Sequence, residues 1–180
     1  MSITAEHIRE TLDDYLGAHP DEKEVLAPVL DLLESGADLT SRTEFRGHAT
    51  AGAILADARG RVLHVRHRAL DAWLLPGGHI ESGDSWLIDA AQRELTEETG
   101  IAASVATPVG TRPLHIDVHP IPANDAKGEP EHRHFDFRFL FRTSADVGEL
   151  QTEEVLAAAW RDADTIAGEM LRNRVVHALN

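Results

Sequence analysis

The sequence predicts an α/β chain of the α+β kind, in which a mixed β-sheet lies between helices. Three observations support this: helical segments open the chain, short strand-like runs occupy its middle, and an amphipathic helix interrupts those runs before a last helix. At 180 residues the chain suits one domain with a core of its own and a small extension. We expect an N-terminal helical extension over residues 1–40 and a main domain over residues 45–180.

The extension is predicted to be helical over residues 4–35, because apolar residues such as Ile8 and Leu12 recur at helical spacing. Pro28 predicts a kink in its second half. Two helices of this size cannot bury a core alone, so we expect them to pack on the rest of the chain or to form a homodimer surface. Residues 37–46 have the composition of a polar linker.

From Gly47 onward, short apolar runs alternate with turn residues, which is typical of strands. In the clearest run, residues 134–142, four phenylalanines at alternate positions point one way and the polar side chains between them point the other. A helix is predicted from about 163 to 178. The other expected strands are HATAGAIL after Gly47, RVLHVRH, WLLP, and the segments around 103–109, 112–119 and 154–160.

The composition excludes several classes of protein. Seventeen Lys and Arg against 31 Asp and Glu give a formal net charge of -14, so we expect no binding of naked nucleic acid. Without cysteine, the chain has no disulfide, no thiolate nucleophile and no cysteine-based zinc site. We see no signal peptide or membrane-length apolar run, and we expect a cytoplasmic protein.

The stretch PGGHIESGDSWLIDAAQRELTEETGI at 76–101 contains the most informative helix. Asp84 or Ser85 is the expected N-cap, Gly100 is the expected stop, and Trp86 is expected in the core. At about 100° per residue, Leu87, Ala90, Ala91 and Leu95 form one apolar stripe. Three carboxylates fall on that same side of the helix, namely Glu94, Glu97 and Glu98.

Acids at this spacing repel one another, oppose the helix dipole and lose hydration on an inward face. A hard divalent cation such as Mg²⁺ would compensate for all three costs. Arg93 stands four residues before Glu97 and can orient that carboxylate. The alternative is a solvated acidic helix end with Arg93 as an ordinary ion-pair partner. The tight turn Pro76-Gly77-Gly78 favours a functional site, since it lets backbone approach closely.

These residues resemble the motif of the Nudix hydrolase family. The matching pieces are Gly78, Asp84, Arg93-Glu94-Leu95, Glu97-Glu98, Gly100 and Ile101. The sequence departs from the usual motif twice, because Asp84 replaces a Glu and one extra residue precedes Arg93. The resemblance covers about residues 45–165 and implies a Nudix-like sheet sandwiched between helices.

The resemblance implies a metal-dependent hydrolase that cleaves the diphosphate linkage of a nucleoside diphosphate joined to another moiety, by attack of water on phosphorus. Mg²⁺ or Mn²⁺ is the implied cofactor, held by Glu94, Glu97, Glu98 and Gly78. Arg93, Glu97 and Glu98 are the implied catalytic residues. Some members take their base from a later loop, and Glu154 is then the candidate here. The competing interpretation is that Glu153 and Glu154 are exposed acids at a strand entrance.

A second polar group comes from two segments that we expect to pair as a hairpin. Alternation places His115, Asp117 and His119 on one face and His132, His134 and Asp136 on one face. Together they can border the substrate pocket or hold an additional cation, or they can form a solvent face of hydrogen-bonded histidines. The candidate substrate-binding residues are Arg66, Arg68, His79, His134, Asp136 and Arg138.

Two other classes of protein are alternatives to a hydrolase. An isopentenyl diphosphate isomerase shares the fold but relies on a catalytic cysteine, which this chain lacks. A catalytically weak Nudix-like sensor or interaction module typically loses motif acids, whereas Glu94, Glu97 and Glu98 are all present. We therefore expect a small-molecule diphosphate substrate: a nucleotide sugar, a dinucleotide, a damaged nucleoside triphosphate or a non-nucleotide diphosphate. The sequence does not choose among them.

Overall fold

A computed structural model describes residues 2–126, 128–150, 153 and 155–180. The helices of this part of the chain are α1 Ala5–Ala18, α2 Ala27–Glu34, α3 Leu87–Thr99 and α4 Glu169–Leu179. The strands are β1 His48–Ala56, β2 Arg61–His67, β3 Ala72–Leu74, β4 Gly77–His79, β5 Thr107–Pro108, β6 His115–Ile121, β7 His132–Arg142 and β8 Val155–Asp162. The predicted mixture of sheet and helices is confirmed.

The eight strands form one mixed sheet. β1 pairs in parallel with β7 over its whole length and antiparallel with β2 and β4. β6 pairs antiparallel with β7, so the predicted hairpin between these segments is present. β3 and β8 both pair with β2, and β5 adds a short edge beside β7. β1 and β7 are therefore the centre of the sheet.

Alternation along β1 and β7 separates two apolar layers. The odd-numbered residues of β1 and, from Phe135 onward, of β7 are buried against α1, α2 and α3, and they include the four phenylalanines of β7. On the other face, Ile54 and Leu140 pack with Leu171 and Val175 of α4. Because each face of the sheet is covered by helix, the predicted sandwich is confirmed. The far end of the α4 face carries polar residues.

The buried stripe of α3 is the predicted one, with Leu87, Ala90, Ala91 and Leu95 all buried. The helix ends where predicted, at Gly100, which is left-handed with φ 67°. The expected start was wrong, since the N-cap position is Trp86. The His7 side chain of α1 accepts a hydrogen bond of 3.2 Å from the Leu87 backbone N–H at this helix start. The expectation that Trp86 lies in the core was also wrong. The residue is 54% exposed, and its ring lies edge-on to that of His7 in α1 at 4.9 Å between ring centroids.

The N-terminal helices pack on the rest of the chain. Ile8 and Leu12 of α1 are fully buried in the same core as α3 and β7. Pro28 lies in the first turn of α2, where it begins the helix instead of kinking it. The segment expected to be a polar linker buries Ala37 and Leu39. The division at about residue 40 stays a prediction, because both parts contribute to one core.

Two predicted elements are shorter than expected. The segment around 103–109 forms a single 3₁₀ turn and then the two-residue β5. The C-terminal segment forms the 3₁₀ turn Ala163–Thr165, and α4 begins only at Glu169. Among the described residues, no helix combines the length and apolar character that crossing a bilayer requires.

Candidate active site

The glycines of β4 bring the acids of α3 against the sheet. A Cβ atom on Gly78 would lie 2.7 Å from the carboxylate of Glu94, so only glycine fits here without displacing that side chain. One turn further along α3, Glu98 accepts a hydrogen bond from the Gly77 backbone N–H at 3.2 Å. Two carboxylates and the backbone of β4 therefore meet at one place.

The three acids differ in exposure. Glu98 is buried at 4%, the Glu94 side chain is 13% exposed, and the Glu97 side chain is 46% exposed. The sequence placed all three on the inner side, and for Glu97 this was wrong, because the residue is exposed. At about 100° per residue it stands at the edge of the apolar arc, whereas Glu94 and Glu98 lie within it. Glu94 and Glu98 face the protein interior, and Glu97 faces solvent.

Arg93 connects these acids to the loop before α3. Its guanidinium donates two hydrogen bonds of 3.0 Å to Asp84, one to each carboxylate oxygen. It also donates to Glu94 at 2.9 Å, to Glu97 at 3.0 Å and to the His79 carbonyl at 2.8 Å. The Asp84 carboxylate, which is buried, raises the pKa of Arg93 further above its usual value. Arg93 therefore stays charged and fixes the orientation of two of the three helix acids.

The structure also shows what Asp84 does. Besides holding Arg93, Asp84 accepts a hydrogen bond of 2.8 Å from the Glu81 backbone N–H, which closes the loop before α3. The contact with Arg93 is bidentate, the strongest geometry that a carboxylate and a guanidinium can adopt. Asp84 therefore holds the frame of the site, even though it replaces the Glu of the usual motif.

Three other predicted site residues are Arg66, Arg68 and Glu154. Arg66 pairs with Asp71 at 2.7 Å beside the turn between β2 and β3. Arg68 is exposed in that turn. Glu154, the candidate base from a later loop, lies outside the described residues. Within the part of the chain that the structure describes, the ion pair of Arg66 is with Asp71 and not with an acid of α3.

The two predicted polar faces come together through the β6–β7 hairpin. His119 is opposite His134, Asp117 is opposite Asp136, and both pairs lie on the α4 face. His119 contacts Asp117 at 3.1 Å and His132 contacts His134 at 3.2 Å between ring nitrogens. Arg138 donates to Asp136 at 2.7 Å and lies 3.7 Å from Asp117. The hairpin thus forms the joint surface of imidazoles and carboxylates that the pairing predicted.

His48 belongs to this surface and was missed by the sequence analysis. It lies opposite His134 in the parallel β1–β7 pair, and the next β1 residue on that face, Thr50, is opposite His79. The only signal was its alternation on β1, which has no meaning until the partner strand is known. Burial lowers the pKa of His79 to about 4 and that of His134 to about 3, and it also lowers the pKa of His48. At neutral pH these imidazoles are uncharged.

A cavity of about 220 Å³ adjoins the same face. Its walls come from β6, Arg138 of β7, the start of α4 and the segment after α1. Asp117 and His115 line it from the sheet side, and Met170 and Leu171 line it from α4. It offers one cation, several hydrogen-bonding groups and an apolar wall. The acids of α3 are not part of its described lining.

The chain is similar to a known protein family and to several known proteins. The family model described as NUDIX domain matches residues 46–178. A probable DHNTP pyrophosphohydrolase of Lactococcus lactis subsp. cremoris is 31% identical over an alignment of 135 residues that covers 72% of this chain and 75% of the relative. The m7GpppN-mRNA hydrolase NUDT17 of Danio rerio is 31% identical over an alignment of 181 residues that covers 92% of this chain but only 60% of the relative.

The solved structures agree in fold. The E. coli dihydroneopterin triphosphate pyrophosphohydrolase superposes with a TM-score of 0.53 at 18% identity, covering 73% of this chain and 94% of that protein. A C. elegans Ap4A hydrolase gives a TM-score of 0.52 at 21% identity, covering 73% and 96% of the two chains. At these identities the likeness concerns the fold alone.

Proposed function

The chain belongs to the NUDIX domain family of hydrolases that act on diphosphate bonds, and we propose that it cleaves a nucleoside diphosphate joined to another moiety, using Mg²⁺ or Mn²⁺. One observation carries this proposal. Glu94 and Glu98 converge on the backbone of Gly77 and Gly78, where oxygen ligands of the kind that Mg²⁺ prefers are gathered in one place.

The ligand set in this proposal consists of Glu94, Glu98 and Gly78, and Glu97 is either a further ligand or the base. The donors fit a hard cation, since they are oxygens of carboxylates and backbone. A bound divalent ion supplies positive charge that neutralises phosphate oxygens and makes an attacking water more acidic. Arg93 touches no substrate in this scheme. It positions Glu94 and Glu97, and Asp84 positions Arg93.

We propose that Glu97 is the base that takes the proton from water. Glu97 is the most exposed of the three, which suits a group that must meet water. Glu98 accepts a backbone hydrogen bond and suits a fixed ligand better. Glu154 remains the alternative base. Replacing Glu97 and Glu154 separately by Gln would distinguish them, because loss of the base reduces turnover while ion binding by the remaining acids persists.

The part of the substrate beyond the phosphates is proposed to bind on the α4 face. His134, Asp136 and Arg138 lie on that face, and Arg138 opens into the cavity of about 220 Å³. Asp136 and Asp117 compensate the charge of Arg138, so we expect it to donate hydrogen bonds to a polar group more readily than to attract a free phosphate. The names of the two relatives suggest that dihydroneopterin triphosphate and capped RNA belong in any substrate panel.

The test is hydrolysis of a panel of diphosphates with Mg²⁺ or Mn²⁺ in ¹⁸O-labelled water. The panel includes nucleotide sugars, dinucleotides, damaged nucleoside triphosphates and the two substrates above. Wild type is compared with Glu98→Gln, and Asp89→Asn is the matched control, since it removes an exposed acid from the solvent side of the same helix. We expect Glu98→Gln to lose at least about 100-fold in kcat and Asp89→Asn to match wild type.

Each outcome is informative. The position of the label identifies which phosphorus is attacked. Equal turnover by wild type and Glu98→Gln would contradict the assigned role of this carboxylate. No turnover of any substrate, in folded protein that binds the ion, would favour the sensor or interaction module over the enzyme.

A further inference from the structure

Three histidines converge on the α4 face of the sheet, away from the acids of α3. His48, His79 and His134 each offer one ring nitrogen, and these atoms all lie within 4.8 Å of one another. The ring centroids are 4.8 to 5.2 Å apart. The residues come from three neighbouring strands, β1, β4 and β7, whose backbone pairing holds them in place. Sites built on strands are held more precisely than sites built on loops.

His48 provides an independent sign that a ligand is missing from this cluster. It is 1% exposed, and its Nε2 atom is buried without a hydrogen-bond partner in the described part of the protein. Its Nδ1 atom lies 3.3 Å from the Glu44 carbonyl oxygen, and since a carbonyl only accepts, Nδ1 carries the proton. The Nε2 lone pair therefore faces the interior unused. Buried polar atoms of this kind are rare and call for an explanation.

The neighbouring His132 repeats this arrangement. Its Nδ1 atom donates to the Pro130 carbonyl oxygen at 2.8 Å, so its Nε2 atom accepts the hydrogen bond from His134 at 3.2 Å. Both His48 and His132 thus direct one ring N–H to a backbone carbonyl and the other nitrogen inward. Histidines that bind metals are oriented in this way, because the outer hydrogen bond fixes the ring and its tautomer.

We propose that His48, His79 and His134 bind one late first-row divalent ion, represented by Zn²⁺. Imidazole nitrogen suits Zn²⁺ and its neighbours, whereas Mg²⁺ and Mn²⁺ prefer oxygen. At a Zn–N distance of about 2.1 Å, tetrahedral ligand nitrogens lie roughly 3.4 Å apart. The three nitrogens, which lie within 4.8 Å of one another, therefore approach by at most about 1.4 Å through side-chain rotation. His132 holds His134 in orientation. Three protein ligands leave a fourth position for water or an anion.

This site is separate from the proposed magnesium site. Successive residues of a strand face opposite sides of the sheet. Gly78 is paired with Ala51, on the face covered by α3, and His79 is paired with Thr50, on the face that carries His48 and His134. The zinc proposal therefore stands whether or not the acids of α3 act in catalysis, and the two can fail separately.

The test uses the full chain after removal of metals, with Co²⁺ as a spectroscopic probe and Zn²⁺ in calorimetry, both in excess Mg²⁺. We expect one equivalent of Co²⁺ with the visible bands of a four-coordinate ion, displaced by Zn²⁺. Zn²⁺ binding should weaken at least about tenfold in His48→Gln and in His134→Gln. His64→Gln is the matched control, since His64 is also buried with Nδ1 3.1 Å from a backbone carbonyl, but on β2.

Further variants keep the test decisive. Glu98→Gln should bind Zn²⁺ as wild type does, because it changes only the α3 face. If His48→Gln fails to fold by circular dichroism, His79→Gln replaces it, since His79 is less buried. The proposal is overturned if wild type binds no equivalent of Co²⁺ or Zn²⁺ in excess Mg²⁺. It is also overturned if the histidine variants bind Zn²⁺ as His64→Gln does, or if Glu98→Gln abolishes binding.

Discussion

At the scale of single residues, the most informative position is Asp84. An aspartate is one methylene shorter than the glutamate of the usual motif, and one extra residue separates it from Arg93. Even so, both of its oxygens reach the guanidinium at 3.0 Å. The two departures from the motif therefore leave the ion pair intact.

Asp84→Asn tests this ion pair. An amide can accept only one of the two hydrogen bonds from Arg93 and turns its own N–H₂ toward the other, so the guanidinium loses its anchor. We expect kcat to fall about 10- to 100-fold, as is usual when a group that orients a metal ligand is removed. Because a buried pair is broken, the free energy of unfolding should also fall by about 3 kcal/mol. Steady-state kinetics and urea unfolding measure the two effects.

Glu81→Gln is the control for Asp84→Asn. Glu81 stands 4.0 Å from the same guanidinium, but its side chain is 65% exposed, and an exposed pair contributes little. We expect its activity and stability to match wild type. Similar losses in both variants would mean that general charge near Arg93, and not the bidentate contact, supports the site.

Some residues of the candidate site could be predicted from the local sequence, and others could not. Helical spacing alone placed Glu94 and Glu98 inward, and the structure agrees, because both lie on the arc of the buried stripe. His48 could not be found in this way. Its neighbours in space are His79 and His134, which strand pairing brings close to it. These two residues are 31 and 86 positions away from His48 in the sequence (79 − 48 and 134 − 48). No local pattern encodes that register.

At the scale of elements, the N-terminal helices are joined to the C-terminal helix by one buried polar group. Glu22, 3% exposed, pairs with Arg174 of α4 and accepts a hydrogen bond of 2.8 Å from the Tyr15 hydroxyl. Arg174 also donates to Tyr15 and to the Leu114 carbonyl. The sequence could not show this connection, because its partners lie about 150 residues apart along the chain.

Glu22→Gln tests whether this group holds the extension in place. The variant leaves Arg174 without its buried carboxylate, and we expect the free energy of unfolding to fall by about 3 kcal/mol. Asp14→Asn is the matched control, since Asp14 of α1 also pairs with a distant arginine, Arg112, but on the surface. It should cause no measurable change in urea unfolding. If the two variants behave alike, the extension is held by its apolar contacts alone.

The strands show the same limit of sequence reasoning at the level of elements. The hairpin of β6 and β7 was predictable, because a Pro- and Gly-rich connection joins two alternating segments. The parallel pairing of β1 with β7 was not, since it joins segments separated by most of the domain. The predicted β-run at 103–109 became mainly a 3₁₀ turn, which local apolar content cannot distinguish from a short strand.

At the scale of the whole molecule, an acidic chain keeps several histidines neutral in its interior. Burial, aided by the Arg174 guanidinium, lowers the pKa of His115 to about 4. His115 lies between the Tyr15–Glu22–Arg174 group and the Asp117–Arg138 side of the cavity. In the unfolded chain the pKa of His115 returns to its ordinary value of 6.5. Between these two pH values the unfolded chain binds more protons than the folded one, so acid favours unfolding.

The stability contributed by His115 should therefore be complete above about pH 6.5 and should be lost as the pH falls toward about 4, by about 1.4 kcal/mol per pH unit. Urea unfolding of metal-free protein at pH 7, 6 and 5 measures this slope. In His115→Gln the slope should be shallower by about that amount, because the titrating group is gone, whereas His177→Gln, which alters an exposed histidine of α4, should retain the wild-type slope. Equal slopes for wild type and His115→Gln would mean that His115 is protonated in the folded protein, and that the acid sensitivity of this chain arises from the imidazole cluster or the carboxylates instead.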